Sequence, residues 1–131
     1  MGESIRVLHA EDDRNFADMS ADFLEREDPD LEVVSEHSGK EAVEAMKNGG
    51  FDCVVSDYQM PGMDGIEFLE FVRERFPDIP FILFTGRGSE EIAGEALRAG
   101  ATDYLQKESG MGQFELLANR IKNSVTPRFR G

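Results

Sequence analysis

The sequence has one cysteine, no tryptophan and only four lysines among its 14 basic residues. The single thiol, Cys53, excludes a disulfide framework within the chain, and its place in an apolar run predicts a buried small side chain. No apolar run approaches the roughly 20 residues that a membrane-spanning helix requires. The first residues have no basic segment followed by an apolar one, so we expect a soluble, cytoplasmic protein.

Positive charge is also scarce. The 27 aspartates and glutamates outweigh the 14 basic residues and give a formal net charge of -13. A chain this acidic lacks the basic face that binds a nucleic-acid backbone, so nucleic acid is not an expected partner. Strong acidity with few lysines is typical of halophilic proteins, in which salt screens self-repulsion, although many bacterial signalling domains are acidic too.

Apolar runs of strand length alternate with helical patterns along the chain. The predicted strands are Ile5 to Ala10, Leu31 to Ser35, Cys53 to Ser56, Phe81 to Phe84 and Thr102 to Leu105. The predicted buried helical stripes are Phe16, Met19 and Phe23; Ala42, Val43 and Met46; Ile66, Leu69 and Val72; Ile92, Ala96 and Ala99; and Phe114, Leu117, Ile121 and Val125, the last helix ending at Pro127. Ser38 with Glu41, and Asp64 with Glu67, have the spacing of helix-capping pairs.

This strict alternation predicts one α/β domain, a five-stranded parallel sheet doubly wound in the order 2-1-3-4-5 and flanked by five helices. We assign residues 1–124 to the domain and 125–131 to a C-terminal tail, too short for an output module. In this fold the functional site lies at the carboxyl ends of the strands, beside the switch between the first and third.

Polar residues stand at four of these strand ends. They are Glu11, Asp12 and Asp13 after the first strand, Asp57 after the third, Thr85 at the end of the fourth and Lys107 after the fifth. Clustered carboxylates repel one another unless a cation joins them, and Mg2+ prefers such oxygen ligands together with a phosphate. A lysine and a threonine beside them can bind phosphoryl oxygens. The sequence therefore predicts a site for Mg2+ and a phosphoryl group.

Residues 57–65, Asp-Tyr-Gln-Met-Pro-Gly-Met-Asp-Gly, resemble the phosphorylation loop of response-regulator receiver domains, in which Asp is followed by x-x-Met-Pro-x-Met-Asp-Gly. Together with the acidic residues after the first strand, Thr85, Tyr104 and Lys107, the resemblance extends over residues 5 to 124. It implies a CheY-like, flavodoxin-like fold and a phosphoacceptor in two-component signalling rather than an enzyme.

The resemblance implies that Asp57 takes up a phosphoryl group from a histidine kinase, a phosphotransfer protein or a small phosphodonor, and that Lys107 and Thr85 bind its oxygens. Thr85 and Tyr104 would form a conformational switch read by a downstream partner or output domain, which the sequence does not identify. A homodimer through the fourth helix, fifth strand and fifth helix is a further expectation.

The resemblance also implies the metal ligands. Glu11, Asp12, Asp57 and the backbone carbonyl of Gln59 would hold Mg2+. Glu11 and Asp12 are preferred to Asp13 because, counted from the apolar strand, they fall where the acid pair of the family falls.

The chain departs from the family pattern in two places. The family often has a proline after the lysine, frequently with a cis bond, whereas Glu108 follows Lys107 here. Gly86 replaces a common alanine after the threonine, and Gly88 follows it, which suggests a mobile loop that would suit a switch.

Three other functions share parts of this pattern. A haloacid-dehalogenase phosphatase needs a second aspartate two residues after its nucleophile, where this chain has Gln59. A flavin-binding module of the same topology needs a phosphate loop after the first strand, which the acidic run there would repel. A pseudo-receiver that only binds partners would not need the full set of acids, threonine and lysine.

Neither histidine is an expected ligand: His9 is more typical of a packed side chain, and His37 lies near a helix start.

Overall fold

The computed structural model describes residues 4–86 and 90–129, with side chains described as far as residue 125. Its elements are β1 (Ile5–Ala10), α1 (Arg14–Glu27), β2 (Leu31–Glu36), α2 (Gly39–Asn48), β3 (Cys53–Ser56), α3 (Gly65–Arg75), β4 (Phe81–Thr85), α4 (Glu90–Arg98), β5 (Asp103–Gln106) and α5 (Gly112–Phe129). The strands pair in parallel in the order β2-β1-β3-β4-β5. The predicted doubly wound α/β fold is therefore confirmed.

The sheet separates two apolar layers because successive side chains of a strand point to opposite faces. Leu8 and Val54 pack towards α2, α3 and α4, whereas Val7 and Val55 pack towards α1 and α5. All four are completely buried. Burial on both faces explains why these strands are continuous apolar runs, and each fully buried side chain of this size contributes about 1.5 to 3 kcal/mol.

Some predicted boundaries differ from the observed ones. β2 and β4 continue one residue further, and β5 is shifted by one residue at both ends, to Asp103–Gln106. Thr102, just before it, accepts a hydrogen bond on Oγ1 from the N–H of Phe81 at 3.0 Å. α5 runs on past residue 124 to Phe129, so the predicted helix end at Pro127 is wrong. A proline costs a helix one backbone hydrogen bond but need not end it in the last turn.

None of the described helices has the length and apolar character needed to cross a membrane.

The predicted stripe of α1 is partly wrong. The buried residues of this helix are Ala17, Ser20 and Leu24, whereas Met19 is 37% exposed and Phe16 is half-buried. The true stripe includes a serine, and a pattern of apolar residues alone does not detect it. The other four predicted stripes do face the apolar layers.

The helix caps fix the loops beside the strand ends. Asp64 and Glu67 form a complete capping box, each carboxylate accepting the other residue's N–H at 2.9 Å. Ser38 accepts from the N–H of Glu41 at 3.1 Å, but the Glu41 carboxylate accepts from His37 instead of closing the box. Such caps stabilise a helix by about 1 kcal/mol each.

Candidate functional site

Three of the predicted acidic residues meet at one edge of the sheet. Glu11 and Asp12 follow β1, and Asp57 follows the neighbouring strand β3. The register pairs Ala10 with Ser56, and the N–H of Asp57 donates to the carbonyl of Ala10 at 2.9 Å, so both chain segments leave the sheet side by side. One carboxylate oxygen of each acid lies within 4.8 Å of the other two.

Glu11 is the most buried member of this cluster, with a side chain that is 1% exposed. Its Oε1 accepts from the Lys107 ammonium at 2.5 Å, and its Oε2 accepts from the N–H of Asp13 at 3.1 Å. Burial raises the pKa of Glu11 to about 7, although the hydrogen bond from Lys107 acts in the opposite direction. Keeping the buried Glu11 carboxylate ionised therefore costs free energy, and a nearby cation offsets that cost.

Lys107 places its ammonium between the two buried carboxylates. Its Nζ lies 3.2 Å from Oδ2 of Asp57 as well as 2.5 Å from Glu11, and it lies 4.3 Å from the centre of the Phe16 ring. The Lys107 N–H donates to the Thr85 carbonyl at 2.9 Å, which fixes the start of the loop against β4. Within residues 4–86 and 90–129 no peptide bond is cis, so Glu108 follows Lys107 through a trans bond.

The loop after Asp57 depends on two glycines. Gly62 has a φ of +82°, a conformation that other residues adopt rarely. Gly65 opens α3 with its N–H donating to the carbonyl of Tyr58 at 2.7 Å, and a Cβ there would collide with the carbonyl oxygen of Asp57. The Tyr58 N–H donates to Oδ1 of Asp57 at 2.8 Å and orients its carboxylate.

The predicted switch pair lies on adjacent strands, Thr85 at the end of β4 and Tyr104 in β5. Thr85 is completely buried. Tyr104 is half-buried in the layer between the sheet and α4, and its buried hydroxyl has no hydrogen-bond partner among the described residues. An unpaired buried hydroxyl costs about 1 to 3 kcal/mol. Apolar packing of the ring must therefore offset this cost to keep Tyr104 in its observed position.

An open cleft of about 460 Å³ contains the site, and its walls include the three acids, Gln59, Thr85 and Lys107. A larger groove of about 640 Å³ lies between α2 and β2. The cleft, and not this groove, holds the three carboxylates that are close enough together to share an ion. The structure thus brings the predicted metal and phosphoryl ligands to one cleft, while Tyr104 packs in the apolar layer beside α4 and pairs with Leu83 across the sheet.

Three contacts at the site were not predicted from the sequence. Asp13 caps α1 by accepting from the Phe16 N–H at 3.0 Å, which accounts for its absence from the carboxylate cluster. Its position just before a predicted helix was the available signal. His37 places Nδ1 3.1 Å from the carbonyl oxygen of Glu11, and Phe16 lies against Lys107. No sequence signal indicated these last two contacts.

His9 is packed, as expected. It is completely buried in β1, and neither ring nitrogen has a partner among the residues that the structure describes. Burial, with a further contribution from Lys107, lowers the pKa of His9 to about 4. The imidazole is therefore neutral at pH 7.

A family model described as the response regulator receiver domain matches residues 7–119. The chain belongs to this family. The receiver domain is 39% identical over 102 residues to the response regulator protein FleR of Pseudomonas aeruginosa, a match that covers 78% of this chain and 21% of that protein. The chain spans 21% to 35% of the length of four curated relatives that it matches.

Two solved structures resemble the receiver domain over almost their whole length. A CheY-like response regulator receiver domain protein from Methanospirillum hungatei JF-1 is 26% identical with a TM-score of 0.83, covering 95% of this chain and 99% of that one. The beryllofluoride-activated NtrC4 receiver domain dimer is 30% identical with a TM-score of 0.81, covering 93% and 97%. Receiver domains are components of two-component systems, in which they work with histidine kinases and output domains.

Proposed function

We propose that this receiver domain accepts a phosphoryl group on Asp57 from a histidine kinase, a phosphotransfer protein or a small phosphodonor. The observation that carries the proposal is the position of the Asp57 carboxylate in an open cleft, 3.2 Å from the Lys107 ammonium and within 4.8 Å of two further acids. This combination brings a nucleophile, a positive charge and a set of cation ligands together in one cleft.

The donor set fits Mg2+. Three carboxylate oxygens from Glu11, Asp12 and Asp57 are hard ligands on one side of an open cleft, which leaves room for water and a phosphoryl oxygen. Gln59 lines the same cleft, and we propose that its backbone carbonyl completes the protein's ligands. When bound, Mg2+ would neutralise the carboxylates and the charge on the phosphoryl oxygens.

The transfer is a displacement at phosphorus. A carboxylate oxygen of Asp57 forms a bond to phosphorus, and the bond from phosphorus to the donor nitrogen or oxygen breaks, its electron pair leaving with the donor. The hydrogen bond from Tyr58 to Oδ1 fixes the direction of the carboxylate. Lys107 has a flexible stem, so its ammonium can follow the charge from Asp57 onto a phosphoryl oxygen, and the hydroxyl of Thr85 can donate to another.

Phosphoryl uptake by the parent protein tests this function directly. With acetyl phosphate and millimolar Mg2+ we expect intact mass spectrometry to show one phosphoryl group per chain, and chelation of Mg2+ to suppress the gain. A folded, monodisperse sample that gains no phosphoryl group under these conditions contradicts the proposal.

We further propose that Thr85 and Tyr104 report the modification. A phosphoryl group brings nearly two negative charges and three acceptor oxygens, and a Thr85 hydroxyl that turns towards it changes the packing in front of Tyr104. The unpaired Tyr104 hydroxyl supports this idea, because the ring already carries a polar penalty that a rearrangement can relieve. A decisive shift needs a preference of roughly 3 to 5 kcal/mol for one arrangement.

The proposed readout surface, α4, β5 and α5, is taken from the resemblance to receiver domains. Leu97 on α4 is 55% exposed and Leu116 on α5 is 45% exposed, so apolar area is available on both helices. A homodimer or a downstream partner on this surface is the expected recipient of the signal. The NtrC4 relative is a dimer in its beryllofluoride-activated form, which supports a homodimer as one of these two recipients.

Thr85→Ala is expected to separate phosphorylation from its readout. The variant should still modify Asp57, because the nucleophile and Lys107 remain, but beryllofluoride should no longer shift the backbone resonances of β5 and α5. Thr85→Ser is the matched control, since it keeps the hydroxyl and should keep the shifts. Equal shifts around Tyr104 in the alanine variant and the parent would show that the signal does not pass through Thr85.

A further inference from the structure

The aromatic ring beneath the Lys107 ammonium has no part in the function proposed above. Phe16 is the third residue of α1, and its ring centre lies 4.3 Å from Nζ of Lys107. An ammonium at this distance from a ring is attracted by the negative face of the π system. The side chain of Lys107 is only 18% exposed, so little water competes for this contact.

The ring is held on its other sides. The Phe16 N–H donates to the cap Asp13, which fixes the backbone at the start of the helix. The ring packs on Phe84 and Phe114, with ring centres 6.0 Å away in each case, and both of these side chains are buried. A ring fixed in this way acts as a stationary surface for the long and flexible side chain of Lys107.

The three groups against the ammonium differ in one respect. Glu11 and Asp57 accept hydrogen bonds from it, but both carboxylates are also proposed to bind the metal, and Asp57 to accept the phosphoryl group. The ring of Phe16, in contrast, is a ligand of neither the metal nor the phosphoryl group. It is therefore the contact that stays with Lys107 when its carboxylate partners are engaged.

We propose that Phe16 is a positioning residue for Lys107, whose ring face keeps the ammonium directed at the phosphoryl oxygens on Asp57. The inference rests on the proposed phosphorylation of Asp57 and adds a specific residue to it. Leucine at position 16 would preserve apolar burial but not the negative face.

Fluorinated phenylalanine at position 16 is the sharpest test. Successive fluorines withdraw electron density from the ring face and leave its shape and apolar packing nearly unchanged. We expect the Kd for beryllofluoride in millimolar Mg2+ to rise stepwise with fluorine content, reaching about three- to tenfold with three fluorines. The same fluorinated phenylalanines at position 114 are the matched control. In the described part of the chain, cations lie over the rings of Phe16, Phe23, Phe51 and Phe71, and Phe114 is not among these rings.

A second measurement needs neither metal nor phosphoryl mimic. In the metal-free protein, the methylene protons of Lys107 next to the ammonium should resonate upfield because of the ring current of Phe16, and Phe16→Leu should abolish that shift. Normal positions of these resonances in the parent would overturn the contact itself. Parent protein that takes up no beryllofluoride would overturn the proposed function, whereas normal uptake with a flat response to fluorination would overturn only the role of Phe16.

Discussion

Asp57→Asn is expected to lower phosphoryl uptake from acetyl phosphate by at least about a thousandfold, because an amide is not a nucleophile towards phosphorus. The replacement is nearly isosteric. The asparagine oxygen can still accept the N–H of Tyr58, while its amide group faces Lys107, which retains its bond to Glu11. The variant should therefore fold like the parent, so the loss can be assigned to chemistry.

Asp64→Asn is the matched control for this experiment. It makes the same chemical change in the same loop, and asparagine caps a helix about as well as aspartate, so α3 should be unaffected. We expect intact mass spectrometry to show full uptake in this variant and none in Asp57→Asn. Undiminished uptake in Asp57→Asn would mean that another side chain is the acceptor.

The fold could be predicted because its signals are local and redundant. Val54 and Val55 belong to an uninterrupted apolar run, which is what a strand buried on both faces requires, and the capping spacing of Asp64 marks the following helix independently. Where one signal was weak the prediction failed. Ser20 is a polar residue in the buried stripe of α1, and its presence moved the predicted stripe onto Met19.

The candidate site could be predicted as a set of residues but not as an arrangement. The rule that parallel strands end together brings Glu11 and Asp57 to one edge, and this needs no knowledge of rotamers. The bond from Lys107 to Glu11 joins residues 96 positions apart through two side chains, and the position of Phe16 depends on a cap and two neighbouring rings. Such contacts follow from side-chain packing in three dimensions, which periodicity and spacing do not encode.

The observed pairing of Lys107 has a consequence for metal binding. Its ammonium is the cation that offsets the repulsion between Glu11 and Asp57 in the metal-free protein. Mg2+ bound as proposed would replace one cation by another at Glu11, and part of the gain would be spent on releasing Lys107. The released ammonium would still have Asp57 as a neighbour, 3.2 Å away in the metal-free protein, and could bind an oxygen of the proposed phosphoryl group.

The ligand assignment leads to the second large effect. Glu11→Gln combined with Asp12→Asn should weaken Mg2+ binding by more than about a hundredfold, since loss of an outer-shell partner alone costs 10- to 100-fold. In the parent, Mg2+ at about a hundred times its Kd should raise the free energy of unfolding by about 2.7 kcal/mol. The double variant should show no such gain. Its metal-free form should be about as stable as the parent, because the loss of the bond from Lys107 to Glu11 is offset by removal of a carboxylate whose burial raises its pKa to about 7.

Asp13→Asn separates the ligand role from the effect of charge alone. It removes one negative charge from the same acidic run, but its carboxylate caps α1 and asparagine preserves the cap. We expect calorimetric titration to show a loss of Mg2+ affinity of less than about fivefold. This corresponds to about 1 kcal/mol, the interaction expected with a solvent-exposed charge. Both variants neutralise acids of the same run, two in the double variant and one in Asp13→Asn. If Asp13→Asn weakens Mg2+ binding as strongly as the double variant, general electrostatics holds the ion. If the double variant binds Mg2+ like the parent, Glu11 and Asp12 are not its ligands.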